Sequence, residues 1–408
     1  MGRPEPYGAV GIGFQRVRCA PLTHYRSTSE RPSLHLRRRM SVIVAPVWEP
    51  RLTLQSLASD LEADVCVVGL GGSGLACIRE LLGTGHSVIG LDASGVAGGA
   101  AGRNGGFLLG GLAMFHHDAG QQIGTITAKA VYEQTLIEID RMERETPAAI
   151  RRTGSLRIAV SDEELDDCNM QLAAMHEDGL PVEWYEGPEG RGLLFPADAA
   201  FDPGARCGGL AIEALRRGAR LFGSSRVVSI DDDRVTTTHG SVRARDIVVA
   251  VDGRLETILP ELASRVRSAR LQMVATAPTT LRFPRPVYAR WGFDYWQQRT
   301  DGRVVLGGGR DVGGDAEWTT SAEPSEPVQS ALTALVRNIG VDAPITHRWA
   351  ATVGYTESGI PVLEQVRPGV WAIGAYSGTG NVIGALCGRA VADLILGQRS
   401  EFAALIRS

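Results

Sequence analysis

Lysine is all but missing from this chain: of its 42 basic residues only Lys129 is not arginine. A GC-rich coding sequence produces that skew without functional pressure, so arginine abundance carries no meaning by itself. The six cysteines, at 19, 66, 77, 168, 207 and 387, form no CxxC pair and no metal-ligand spacing. That leaves no sign of a zinc site or a disulfide framework, and no metal is expected. Free thiols in apolar runs behave as small hydrophobes and fit a reducing, cytoplasmic compartment. No uncharged apolar run reaches the length of about 18 residues that a membrane helix needs; the nearest, 65–78, is short and broken by glycine. No HExxH, GxSxG or P-loop pattern occurs. A formal net charge of −4 gives no basis for nucleic acid as a partner.

Glycine runs the other way. At 50 of 408 residues it follows no period of three, and fifteen of the 50 fall between Gly69 and Gly111. Residues 1–39 hold eight Arg against two Glu and no sustained hydrophobic period. They read as an N-terminal extension, disordered or upstream of a true start at Met40, with a basic targeting arm as the alternative. From Ala63 the pattern sharpens: ADVCVVG is a strand, GLGGSG a tight turn, LACIRELLGTG a helix closing near Gly85, and SVIGLD a second strand ending at Asp92. In this βαβ unit Gly69, Gly71 and Gly74 make GxGxxG, with Gly72 beside them. The first Gly allows the turn, the second lets backbone approach a pyrophosphate, and the third lets helix pack on strand. The helix N-terminus attracts the diphosphate, and Asp92 is placed to accept from a ribose hydroxyl.

Downstream segments decide which dinucleotide is bound. GVAGGAAGRNGGFLLGG (95–111) has neither helical nor strand period and reads as backbone lying against a large flat or charged ligand. A final strand, VWAIGA, leads through YSGTGN into a helix at about 381–397, a second strand–turn–helix corner some 300 residues from the first. A ligand touched by both ends of the chain is long, which favours FAD over NAD. Asn104 and Asn381 sit in these glycine stretches, either as turn residues or as ligand contacts. Between the corners, 122–150 reads as one amphipathic helix, Ser161–Glu164 as a capping box opening a helix that ends near Gly179, and 204–222 as helix. Strands are expected at 155–160, 225–230 and 241–251, with Asp231–Asp233 as a solvated turn, and an antiparallel sheet across 269–310. His116-His117-Asp118 reads as a helix start or loop surface, with a metal or acid–base cluster as the less favoured alternative.

VVGLGGSG with Asp92, AGRNGGF, IVVAVDG (247–253), WAATVGYTESGIPVLE and YSGTGN, in that order over about 60–398, resemble the D-amino-acid oxidase superfamily of FAD-dependent oxidoreductases, to which glycine and sarcosine oxidases belong. GRNGG is most similar to the γ-glutamylputrescine oxidoreductase branch. The resemblance implies an α/β fold: a discontinuous Rossmann-type FAD-binding domain (60–125, 196–255, 346–400) and an α+β substrate domain with a mainly antiparallel sheet (126–195, 256–345). It implies that Gly69, Gly71, Gly72 and Gly74 hold the pyrophosphate, Asp92 the ribose, and Val227 and Val228 the adenine. Arg103, Asn104, Gly105 and Gly106 would line the flavin, and Gly378, Thr379, Gly380 and Asn381 would meet its pyrimidine edge.

The departures from the family pattern are informative. Val353 stands where sarcosine oxidases carry a flavin-linking Cys and glycine oxidases a carboxylate-gripping Arg, which implies noncovalent FAD and a substrate other than a simple α-amino acid. Val305 stands where sarcosine oxidases carry an oxygen-activating Lys, so O₂ or another electron acceptor is expected. The implied reaction is oxidation of a small-molecule amine or amino-acid derivative to an imine that water hydrolyses. Trp291, Tyr295, Tyr355 and Tyr376 are the candidates for apolar walls and Arg310 for a cation beside the amine. A nicotinamide-dependent dehydrogenase and a flavin-binding protein without turnover are the alternative readings.

Overall fold

The computed structural model describes residues 42–48 and 52–407; the extension at 1–39 and the start at Met40 lie outside the described residues. The second half of the Leu61–Val68 strand, from Val65 on, is buried on both sides. Val65 and Val67 join Leu75, Ile78, Leu210 and Val391 from three helices, while Cys66 and Val68 join Ile89, Ile247, Leu255 and Leu259 on the opposite face. That alternation is the two-residue period of an extended chain. Five parallel strands run side by side in the order Arg220–Phe222, Val88–Leu91, Leu61–Val68, Ser241–Val249 and Val370–Gly374. The first strand in sequence lies in the middle, so the connections diverge on either side of it, and ligands bind off the carboxyl ends at such a switch point. The Val227–Ile230 and Arg234–Thr237 hairpin and the Val362–Arg367 strand extend the sheet antiparallel.

The second sheet has eight strands, from Ile345–Tyr355 at one edge to Glu183–Gly187 at the other. Its neighbours are antiparallel except where Val287–Ala289 runs parallel to Ser155–Ala159. Val328, Leu332 and Val336 of the Glu326–Asn338 helix pack beneath it on Val274 and Leu306. A third, three-stranded sheet comprises Phe107–Leu108, Ala199–Phe201 and Ile150–Arg151. Together these make the mixed α/β fold expected.

Three local expectations are corrected. The 204–222 stretch is a helix only over Pro203–Arg216; Gly218, at φ 95°, reverses the chain into the Arg220–Phe222 strand. The 122–150 stretch is two helices, His116–Ile123 and Thr125–Glu145, broken at Gly124 with φ 84°. In both places a glycine in the left-handed region interrupts a run whose side-chain period continues. The fold also begins before residue 60. Ile43 bridges His347, and Val47 and Trp48 are buried against Met273 and Trp349. Ser161 caps the helix as expected, its Oγ accepting from Glu164 N at 3.2 Å, with the Glu164 carboxylate reaching back to Val160 N instead of Ser161 N, and Asp231–Asp233 forms the turn between hairpin strands.

Helices far apart in sequence are joined by buried charge. Arg389, 6% exposed, donates through Nε and Nη2 to both oxygens of Glu138 at 2.8 Å and through Nη2 to Glu145 at 2.8 Å. Its Nη1 reaches Glu80 at 2.6 Å, and Arg206 holds the other oxygen of Glu145 at 3.0 Å. Burial pushes the Glu145 carboxyl up, but Arg389 and Arg206 more than offset it and hold it low; at Glu138 burial prevails and the carboxyl is raised despite Arg389. Removing the shared cation leaves Glu138 without its ion pair in the interior, while Glu145 keeps Arg206; such a loss typically costs roughly 3–5 kcal/mol. Arg389→Met is expected to lower unfolding stability by about that amount, read from urea denaturation; a change within experimental error would show that the network contributes nothing net.

Candidate active site

The first corner is built by exclusion of side chains. Gly69 adopts φ +110°, and a Cβ there would stand 2.4 Å from the Ala250 carbonyl oxygen; a Cβ on Gly74 would stand 2.0 Å from the Gly69 carbonyl oxygen. Strand, turn and helix therefore touch backbone to backbone. The Gly72–Gly83 helix has Gly71 as its N-cap and no side-chain cap, and a Cβ on Gly72 would meet nothing. The first-turn amides, which have no intrahelical acceptors, thus open on the space in front. Asp92 secures the turn: Oδ2 accepts from Leu70 N at 3.0 Å, and Oδ1 accepts from Ser94 N at 2.8 Å and Gly95 N at 2.9 Å.

Arg103 to Gly106 form the second wall. Their carbonyls are taken by side chains from elsewhere: Trp349 Nε1 donates to Arg103 O and Trp48 Nε1 to Asn104 O, each at 2.8 Å, and Gln297 Nε2 to Gly105 O at 2.6 Å and Gly106 O at 2.7 Å. Arg103 returns Nη1 to Ala350 O at 3.1 Å. Asn104 serves the turn, donating to Ala100 O and Ala101 O and accepting from Gly106 N at 2.8 Å. Asn381 couples this wall to the last corner, its Nδ2 donating to Phe107 O at 2.8 Å and Asn104 Oδ1 at 3.3 Å.

At that last corner Ala375, Ser377 and Gly378 all have positive φ, and Thr379 Oγ1 donates to Tyr376 O at 2.9 Å. Asp252 accepts from Tyr376 N at 2.9 Å, and burial raises its carboxyl to about 7 against those backbone donors. Tyr376 lines the cavity at this corner. Its ring packs in the helix-side core against Ser73, Gly380 and Gly384, because the glycines leave the ring-sized gap.

One cavity of about 1380 Å³ joins these corners to a set of aromatic and charged side chains, a volume above the usual range of roughly 300–1,000 Å³. The expected residues Gly69, Gly71, Gly72, Asp92, Arg103, Asn104, Gly105, Val227, Gly378, Thr379, Gly380 and Asn381 line it, as do Trp291, Tyr295, Arg310, Tyr355 and Val353. Gly74 and Gly106 stand behind the lining, and Val228 is 58% exposed, where the register of its strand shifts between Val227 and Ser229. Val305 is buried with Trp48, Met273 and Trp349 rather than on the wall.

At the far end the Arg310 guanidinium lies 4.9 Å from the ring centre of Trp318, 5.1 Å from Tyr355 and 5.8 Å from Phe293. Tyr288 and Tyr295 stack at 5.5 Å, with Phe107 at 5.0 Å from Tyr288. Burial holds all three phenols, Tyr288, Tyr295 and Tyr355, above their ordinary range, so they are neutral walls. Trp291 is turned toward the Asp162–Glu177 helix: its N donates to Glu164 Oε1 and its Nε1 to Asp167 Oδ2, both at 2.7 Å, from a left-handed φ of 54°. His116 opens the His116–Ile123 helix and meets Asp178 Oδ2 at 2.6 Å; no group of three or more metal-ligating side chains exists among the described residues.

Sequence reasoning passed over Trp48, Phe107, Tyr288, Gln297, Trp318 and Asp198. Asp198 lines the cavity at 3% exposure, with Oδ1 accepting from Gly110 N at 2.8 Å and Oδ2 from Ser155 Oγ at 2.6 Å. Burial raises its carboxyl to about 7, above the unfolded value of about 3.9. The folded protein therefore holds this proton more tightly, and the stability it contributes is full below about pH 4 and lost as pH rises through 7. Asp198→Asn is expected to be near neutral for stability at pH 5 and to stabilise by roughly 1–3 kcal/mol at pH 8.5. Urea denaturation at both pH values measures this; an equal effect at the two would refute the shift.

A family model described as DAO, FAD dependent oxidoreductase, matches residues 64–394. A probable oxidoreductase OrdL of Rhizobium meliloti (strain 1021) is 26% identical over 380 residues, covering 83% of this chain and 84% of that protein. Gamma-glutamylputrescine oxidoreductase of Escherichia coli (strain K12) is 25% identical over 378 residues, covering 85% and 87%. Among solved structures, glycine oxidase from Geobacillus kaustophilus superposes with a TM-score of 0.68 at 20% identity, over 84% of this chain and 96% of that one. L-amino acid deaminase from Proteus vulgaris does so with a TM-score of 0.69 at 17% identity, over 86% and 94%. The structural likenesses are of fold; the family match, spanning both glycine corners and the cavity between them, displaces the nicotinamide alternative, and the chain belongs to the DAO family of FAD-dependent oxidoreductases.

Proposed function

We propose that this enzyme oxidises a C–N bond of a small amine or amino-acid derivative, using FAD held without a covalent link. The observation that carries the reading is the single cavity running from the uncapped amides at Gly71–Ser73 to the Arg310 chamber. The residues fit the cofactor: amides and a helix end for a diphosphate, Asp92 beside them, glycine backbone along the trench, and the Gly378–Asn381 corner opposite. Val353, not a thiol, stands on the chamber wall, and Cys207 lies in the helix-side core with burial pushing its thiol up to about 11. FAD, when bound, supplies a two-electron acceptor for a hydride from the carbon bearing the amine, leaving an imine for water to hydrolyse.

The protein's own task is to present that amine neutral and oriented. With an amine pKa near 10.4, deprotonation at pH 7 costs about 4–5 kcal/mol. Apolar surroundings and a neighbouring cation both lower an amine pKa. Tyr295 and Tyr355 provide neutral rings, and Arg310, set among Trp318, Tyr355 and Phe293, provides the cation. We assign Trp291 to shaping the chamber through its backbone turn, and Tyr376 to supporting the last corner from behind.

Anaerobic mixing of the FAD-loaded protein with sarcosine, glycine, D-amino acids, polyamines and γ-glutamyl-amines tests the reading. At least one amine is expected to bleach the visible flavin band, and reoxidation by O₂ or an added acceptor identifies the electron acceptor. If light reduces the flavin but no amine does, the protein is a flavin carrier without amine turnover. With the reactive amine, Arg310→Ala is expected to lower kcat/KM about tenfold or more at unchanged FAD content; unchanged kinetics would remove Arg310 from the site.

A further inference from the structure

Several guanidiniums at the heart of the molecule have carboxylate partners, Arg389 and Arg206 in the helix network, Arg270 on Glu317, and Arg290 on Asp294 and Asp311, while Arg103 and Arg151 donate to backbone carbonyls. Arg157 differs. It projects from the Ser155–Ala159 strand onto the cavity wall, its guanidinium 4.2 Å from the ring centre of Phe115. Its Nε is buried without a hydrogen-bond partner, and it forms no salt bridge among the described residues. The acids near it, Asp198 and Glu164, feel its charge but spend their hydrogen bonds elsewhere: Asp198 on Gly110 N and Ser155 Oγ, Glu164 on Trp291 N and Val160 N.

A guanidinium withdrawn from water with donors unused is costly unless an anion completes it. Its planar fork matches a carboxylate, and such charge-assisted bonds are about twice as strong as neutral ones. Arg157 acts electrostatically on Tyr288, and Arg310 on its stacking partner Tyr295. Both cations line the same cavity, each against its own rings: Arg157 on Phe115, Arg310 on Trp318, Tyr355 and Phe293.

The geometry points to Arg157 as the anchor of a carboxylate on the substrate, distinct from the amine end that Arg310 faces. This rests on the amine reading above for what the anion belongs to. The substrate class is then an amine carrying a carboxylate remote from the oxidised C–N bond, and Arg157 sets specificity through that remote group.

The test uses FAD-loaded protein and probes that cannot be oxidised: benzoate and glutarate as carboxylates, benzamide as the neutral counterpart of benzoate, each read by perturbation of the flavin spectrum. A carboxylate probe is expected to bind the native protein. Arg157→Met is expected to weaken it about tenfold or more, Arg157→Lys to recover part of the loss, and benzamide to bind all three alike. Arg157→Gln carries the comparison where the Met variant fails to retain FAD. The assignment is overturned if neither carboxylate binds the native protein, if neutralising Arg157 leaves carboxylate affinity unchanged, or if benzoate and benzamide weaken together. Because no probe is turned over, this readout stands even where every amine fails to bleach the flavin, so the two ideas fail separately.

Discussion

The Gly72–Gly83 helix is gripped between two backbones, and everything around the cavity is referred to it. On one side Gly74 lies where a Cβ would come within 2.0 Å of the Gly69 carbonyl; on the other, a Cβ on Gly388 would come within 2.1 Å of the Ser73 carbonyl. Neither contact can yield, because main-chain atoms of packed elements have nowhere to go. The helix end is thereby aimed, with its open amides, at the switch point of the parallel sheet. The Ile383–Ile395 helix, seated on it through Gly388, is located by the same contact. That helix places Arg389 among Glu80, Glu138 and Glu145, and so fixes the Thr125–Glu145 helix as well.

Much of the cofactor trench was legible because its signals are local. A turn that must bring backbone to backbone demands glycine within a few residues, and Asp92 follows at the end of the adjoining strand. Of Asn104 and Asn381, the first serves its own turn, the second reaches across 277 positions to it, and both line the cavity. What escaped notice was contributed from far away. Trp48 and Gln297 sit in runs that read as ordinary linker or strand, and only the fold brings their donors, with that of Trp349, to the carbonyls of 103–106. Direction escaped as well. Tyr376 and Trp291 lie at the right places along the chain, but a ring can swing either side of its backbone, and gaps left by Gly380 and Gly384, or acids on a neighbouring helix, decide which. Helix ends at Arg216 and Ile123 were lost for a related reason, since apolar periodicity runs on through a glycine that bends the chain.

The chamber beyond the trench shows how the second sheet contributes what the first cannot. Parallel strands with helices on their faces offer backbone donors and small residues, well suited to a long polar ligand. The antiparallel sheet instead presents alternate side chains to one face, which lets Tyr288 and Tyr295 from neighbouring strands stack and lets Arg157 reach the same cavity. Phe107, in a two-residue strand of the small third sheet, touches both tyrosines and so seals the join.

The bond from Asn381 to Phe107 has a temporal meaning. The trench wall at 103–107 is synthesised early, yet the residue that pins it follows Phe107 by 274 positions, and the arginine that pairs with Glu138 follows Glu138 by 251. Until then the nascent chain carries an open groove and a buried-to-be carboxylate without its cation. Trench and charge network are thus completed together, when the segment from Asn381 to Arg389 docks, and loss of that segment opens both at once.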